Sequence, residues 1–166
     1  DSGRIALDVR PVSLRKLLKQ LGEELAPLAK QKGLSLRIIS ADLTVISDNT
    51  YLRRILQNLI VNAIRYTDRG KVLVGVRKNG GSASIQVWDT GPGIPEDKQE
   101  VIFGEFQRLN ASASAAEGMG LGLAIVERAC AILKHPLNLV FMIKEMYQLL
   151  AGSLAKLAPI TAILML

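Results

Sequence analysis

Gly118, Gly120 and Gly122 stand on alternate positions in "GMGLGLAIVER" and run straight into an amphipathic helix. Glycines ahead of a helix let a ligand come close to the backbone, and the unpaired N–H groups of a helix N-terminus favour a phosphate there. The dinucleotide fingerprint G-x-G-x-x-G does not fit, because Leu123 stands where its third glycine belongs. A P-loop does not fit either, since no Gly-Lys-Ser/Thr closes the run. The chain therefore needs a fold that offers a helix N-terminus to a ligand by some other route.

Helical and strand periods interleave along the chain. Ile5 to Val9 alternates as a strand that Pro11 ends. Ser13 caps a helix whose Leu14, Leu17, Leu18, Leu21, Leu25 and Leu28 form one stripe; Pro27 should kink it and Gly33 end it. "LSLRII" and "DLTVISD" read as strands, and Asp48 caps a second helix, "NTYLRRILQNLIVNAIRYT". "KVLVGVRK" and "SASIQVWD" are joined across "NGG" as a hairpin. A glycine-proline loop, a short "DKQEVIFGEF" helix and the small, polar "QRLNASASAAEGMG" follow; the last reads as a loop that closes over a ligand, or as plain surface. The pattern predicts an α/β fold, a two-layer sandwich with a mixed, mostly antiparallel sheet and its helices on one face.

Composition narrows the chemistry. With 49% hydrophobic and only 4% aromatic residues, the 166-residue chain should bury an aliphatic core. The single cysteine, Cys130, forbids an internal disulfide and falls on the apolar side of its helix as buried filler. One cysteine and one histidine, His135, leave zinc without a ligand set. The net charge of +6 suits a polyanion: nucleic acid, an anionic membrane or a nucleotide. No aromatic RNA-binding run and no long basic block supports nucleic acid. "DSGRIALDVR" has no signal-peptide pattern and reads as the start of a piece cut from a longer chain. The single cysteine fits a reducing compartment, so the expected location is cytoplasmic, whether free or as the cytoplasmic portion of a membrane-bound sensor.

Two further features carry chemistry. In the second helix Asn58, Asn62 and Arg65 lie along one border of the buried stripe of Leu52, Ile55, Leu56, Leu59 and Ala63. Such amides either bond a neighbouring loop or offer an oxygen to Mg²⁺ that substrate phosphates also hold. "VWDTGPGIPED" has a strand deliver Asp89 into a turn where Gly91 and Gly93 bracket Pro92. A carboxylate fixed there can accept from an exocyclic amine, and the glycines let a flat ring approach; a plain turn would look the same in isolation.

In order and spacing, "NLIVNAIRYT", "WDTGPGIP", "IFGEFQR" and "GMGLGLAIVER" resemble the N, G1, F and G2 boxes of the ATP-binding catalytic domain of sensor histidine kinases, a Bergerat-fold domain shared with gyrase-type topoisomerases. The resemblance runs from about Ser13 to His135. It implies ATP and Mg²⁺ as cofactors, with Asn62 on the metal, Asn58 supporting it, Arg65 on phosphate and Tyr66 against the nucleotide. It further implies that Asp89 holds the adenine amine and that Gly91, Gly93 and Ile94 shape the purine pocket. Phe103 and Phe106 would anchor a lid, Arg108 would reach the γ-phosphate, and Gly118, Met119, Gly120, Leu121, Gly122 and Leu123 would form the lid hinge and triphosphate site. Gyrase-type ATPases carry a water-activating glutamate where Asn58 stands; an amide is no base, which favours transfer over hydrolysis.

The partners so implied are a dimerisation domain bearing the phosphoacceptor histidine, absent here, and a response regulator, with a membrane involved only through parts outside this chain. The expected division is a catalytic domain over 1–138, with 1–12 the remnant that follows the dimerisation helices, and an atypical apolar tail over 139–166. In the tail the family's Gly-x-Gly-Ser/Thr turn is missing, "LNLVFMI" and "PITAILML" are candidate strands, and the closing edge of the sheet is in doubt. Two other readings stand beside the kinase: an anti-sigma-factor-type serine kinase, which would carry glutamate at position 58, and a non-catalytic nucleotide-binding module. His135, beyond the far end of the glycine-led helix, reads as a helix-terminus residue favoured there when protonated.

Overall fold

The computed structural model describes residues 6–92, 122–135, 137–141 and 160–165. Strand β1 (Val9–Ser13) pairs antiparallel with β3 (Thr44–Asp48) in a separate two-stranded ribbon, Pro11 opposite Ile46. The strand thus lies further along than the expected Ile5 to Val9 and runs through the proline rather than stopping at it. Each strand of a two-stranded ribbon keeps an open edge, where a residue without an N–H breaks no ladder.

Helix α1 (Leu14–Gln31) starts where Ser13 accepts from the Lys16 amide at 3.4 Å and continues through Pro27. Its buried stripe is Leu14, Leu17, Leu18, Leu21, Leu25 and Ala29, while Leu28, expected in the stripe, is exposed. Gly33 closes the helix at φ +69°, and the Leu34 amide donates back to the Ala29 carbonyl at 2.9 Å, a Schellman cap that satisfies an orphan carbonyl.

Among the described residues the main sheet has five strands. β2 (Ser35–Ile39), β4 (Lys71–Asn79), β5 (Ser82–Asp89), β6 (Leu137–Phe141) and β7 (Ile160–Met165) stand in the order β2-β4-β5-β7-β6. Only the β2–β4 pair is parallel, so the sheet is mixed and mostly antiparallel, as expected. The hairpin between β4 and β5 turns at Gly80, φ +62°, a conformation that favours glycine. Both candidate strands of the tail form, and the last one enters the sheet between β5 and β6 instead of closing its edge.

Helix α2 (Asn49–Tyr66) is capped by Asp48, whose Oδ1 accepts from the Thr50 and Tyr51 amides at 2.9 and 3.1 Å while Oδ2 accepts from Asp8 at 2.8 Å. Burial opposes the Asp48 charge, but these amides, with Arg10 nearby, hold its carboxyl below the usual carboxylate range. Leu52, Ile55, Leu56, Leu59, Ile60, Ala63 and Ile64 bury one face of α2. They meet α1, helix α3 (Gly122–Leu133) and the sheet face that carries Val72, Val74, Ala83, Ile85 and Val87 in a single core. Helices on one face of a sheet make the two-layer α/β sandwich.

α3 ends without a glycine. Lys134 takes φ 55°, and the His135 amide donates to the Cys130 carbonyl at 3.0 Å. The His135 ring bonds the buried Ser47 hydroxyl through Nε2 at 2.9 Å, tying α3 to β3. His135 stands just past the C-terminus of α3, as expected, and burial pushes its pKa down, which disfavours the protonated ring. Cys130 is buried core, as expected, and burial pushes its thiol up to about 11.

Candidate active site

Strand period explains how a carboxylate comes to be buried. Alternate residues of β5 point to the helix side, and Ala83, Ile85 and Val87 fill the core there. Asp89 is the next residue in that row. It pairs with Val72 across the hairpin and is only 5% exposed, although it carries an acid. Desolvation pushes its pKa up to about 6, against the pull of the Gly91 amide and the Thr67 hydroxyl, both of which favour the charge. The Gly91 amide donates to Oδ1 at 2.8 Å.

Gly91 cannot be another residue without a rearrangement. A Cβ built on it would stand 2.8 Å from Asp89 Oδ1, 2.9 Å from the Tyr66 carbonyl oxygen and 3.3 Å from Thr67 Oγ1. The strand end and the end of α2 therefore converge on one small polar cradle. Lys32 secures that end of α2 by donating to the Ile64 and Arg65 carbonyls at 3.0 and 2.5 Å, two of the acceptors a helix C-terminus leaves unpaired. Thr90 secures the loop after it: its hydroxyl donates to the Arg69 carbonyl at 2.9 Å and accepts from the Lys71 amide at 3.0 Å. A Cβ on Gly70, φ +108°, would strike that hydroxyl, so close packing and backbone conformation both require glycine there.

Asn58, Asn62 and Arg65 share the predicted border of α2 and are half-buried. Asn58 donates its Nδ2 to the Arg54 carbonyl of its own helix at 2.8 Å. The Asn62 side chain makes no hydrogen bond among the described residues. No cluster of three His, Cys, Asp or Glu side chains suited to a metal occurs among those residues either. Tyr66 is 43% exposed and contributes its backbone carbonyl to the cradle.

The structure thus brings Tyr66, Asp89 and Gly91 together, and α2 packs against α3, the helix that begins at Gly122 and carries the half-buried Leu123. Gly93, Ile94, Phe103, Phe106, Arg108, Gly118, Met119, Gly120 and Leu121 lie outside the described residues. Sequence reasoning missed Thr67, Lys32, Gly70 and Thr90. The available signal was a small polar residue directly after the apolar stripe of α2 and a "DRGK" turn before a strand.

Comparison with known proteins bears on this geometry. The family of histidine kinase-, DNA gyrase B- and HSP90-like ATPases has a model that matches residues 47–141. The chain belongs to that family. Within this ATPase family it is 37% identical over 131 residues to the aerobic respiration control sensor protein ArcB of Escherichia coli, covering 75% of this chain and 17% of ArcB. It is 38% identical over 134 residues to the circadian input-output histidine kinase CikA of Synechococcus elongatus, covering 77% of this chain and 18% of CikA. The chain spans less than a fifth of the length of these two relatives. Among solved structures, full-length ShkA in complex with AMPPNP superposes with a TM-score of 0.75 at 30% identity, over 97% of this chain and 31% of ShkA. The catalytic domain of histidine kinase ThkA shares the fold, with a TM-score of 0.74 at 20% identity over 96% of this chain and 95% of that one. None of the described helices is long and apolar enough to cross a membrane.

Proposed function

We propose that this chain binds Mg-ATP and forms the catalytic domain of a sensor histidine kinase, passing the γ-phosphoryl group to a histidine on a dimerisation domain, from which a response regulator would take it. The observation that carries the reading is Asp89: a carboxylate kept at the end of a core row, beside a glycine whose missing side chain leaves room for a flat base. An acceptor buried there at a cost in solvation is suited to an exocyclic amine such as that of adenine. The names of the relatives and the AMPPNP bound to ShkA support the same assignment. A cytoplasmic location goes with it.

In this reading Asp89 accepts from the adenine amine, Gly91 and Gly93 with Ile94 make room for the ring, and Tyr66 lies along the nucleotide. Arg65 meets a phosphate, and Arg108 and the Gly118–Leu123 segment enclose the triphosphate with Phe103 and Phe106 behind them. Mg²⁺, when bound, neutralises phosphate charge. The unpartnered amide oxygen of Asn62 suits it as a single hard ligand, the remainder coming from phosphates and water. Asn58 cannot serve as a base, so ATP is held intact until a nucleophile arrives.

That nucleophile is not in this chain. The 12-residue α3 puts its C-terminus, with His135 beyond it, roughly 18 Å from its N-terminus at about 1.5 Å per residue. Phosphoryl transfer needs an approach of about 3–3.5 Å. Incubation with γ-labelled ATP should leave the chain unlabelled and, once a histidine-bearing dimerisation domain is added, put acid-labile label on that domain. Acid-labile label on this chain that is lost in His135→Gln would overturn the assignment.

A further inference from the structure

Thr67 holds, among the described residues, the one buried side-chain oxygen that has no hydrogen-bond partner. The residue is fully buried, directly after α2. A hydroxyl shut away from water without a partner costs about 1–3 kcal/mol, and such a group in a native fold calls for a reason. Its surroundings supply one. Thr67 Oγ1, Asp89 Oδ1 and the Tyr66 carbonyl oxygen all lie within 3.3 Å of the point where a Gly91 Cβ would stand. The carbonyl accepts only, and so does the carboxylate when ionised. The Thr67 hydroxyl is the only side chain of the three with a proton to give.

We propose that Thr67 is a positioning residue for Asp89: its hydroxyl donates to the carboxylate when a purine amine is seated, holding the acid ionised and aimed into the cradle. This rests on the reading of Asp89 as the amine acceptor. The backbone on either side of Thr67 is already fixed, by Lys32 on the carbonyls of Ile64 and Arg65 and by Thr90 on Arg69 and Lys71, so only a small side-chain adjustment is needed. Hydrogen bonds of this kind commonly tighten only when the ligand arrives. In the free protein the hydroxyl already favours the Asp89 charge by its nearness, but it falls short of the hydrogen bond that the Gly91 amide makes. Among the described residues the Gly91 amide and the Thr67 hydroxyl are the groups that favour the Asp89 charge; Arg65, Asp68, Arg69 and Lys71 are the charged neighbours in sequence at the end of α2, in the loop and at the start of β4.

The test is Thr67→Val, which keeps the shape and removes the donor, with Thr67→Ser as the rescue. In the nucleotide-free protein, carboxyl-carbon NMR should show the Asp89 titration midpoint above its value of about 6 in Thr67→Val and near it in Thr67→Ser. ATP affinity at pH 7 should fall about tenfold in Thr67→Val, its acid limb moving to higher pH, while thermal stability is unchanged or raised because an unpaired polar group has gone. A purely structural threonine would lower stability and leave the midpoint alone. An unchanged midpoint and unchanged affinity in Thr67→Val overturn the proposal. Should Thr67→Val fail to fold, Thr67→Ala must show the same raised midpoint, and an unmoved one overturns the proposal equally. If Asp89→Asn itself binds ATP as well as the parent, it is the amine-acceptor reading that fails, whatever Thr67 does.

Discussion

Asp89 faces opposed demands at the scale of a single residue. Its burial favours the neutral acid, and its proposed task requires the charge. Because the folded pKa, about 6, lies above the ordinary 3.8, the stability it contributes is fully present below about pH 4 and is lost as pH rises through about 6. Asp89→Asn should therefore stabilise the nucleotide-free protein at pH 7 by about 1–3 kcal/mol, a gain that vanishes below about pH 4; chemical denaturation at both pH values checks this. The same variant should lose about 1–3 kcal/mol of ATP affinity, since an amide offers the amine a weaker acceptor. In the parent, ATP affinity should fall as pH drops below about 6 and Asp89 takes up its proton. Gly91→Ala should also weaken ATP binding, because its methyl would occupy the cradle within 2.8–2.9 Å of two oxygens; a calorimetric titration equal to the parent's would contradict the cradle.

Among the elements, α2 and α3 were the most legible in sequence, because a 3.6-residue apolar stripe with a capping Asp48 or a leading glycine is a local signal. The β4–β5 hairpin was legible for the same reason. What the sequence hid is non-local. Pro11 is tolerated in β1 only because its partner ribbon has two strands, and β3 lies more than thirty residues on. Thr67 is buried at the start of the loop that joins α2 to the hairpin, Thr90 bonds that loop from the far end of β5, and no period marks either. The partner of the half-buried His135 ring, Ser47, is likewise 88 residues away in sequence. The lowered pKa of His135 means that the stability it contributes, present above the ordinary value of 6.5, is lost as pH falls through its folded value. In an Asp89→Asn background, which removes the opposite trend, the melting temperature should drop on acidification, and His135→Gln should flatten that drop.

Over the whole molecule, the apolar end of the chain has a place in the sheet. β7 pairs β5 on one side and β6 on the other, so its backbone is hydrogen-bonded along both edges. The apolar residues Ile160, Ile163 and Leu164 thus lie on an inner strand, not on an edge open to self-association. Removing residues 135–166 should strip the partner from β5, leave an unpaired strand edge and make the truncated chain, not the full one, associate. Light scattering across a concentration series would show it, and equal monomeric behaviour of both would contradict it. The central claim is that this sheet and α2 together present a purine site. Calorimetric titration of the chain with ATP, with and without Mg²⁺ and with Asp89→Asn alongside, tests it most directly. Mg-dependent binding in the micromolar range or weaker, at most about −8 kcal/mol and reduced by Asp89→Asn, is the predicted result. No binding at millimolar Mg-ATP, or binding that Asp89→Asn leaves untouched, would contradict it.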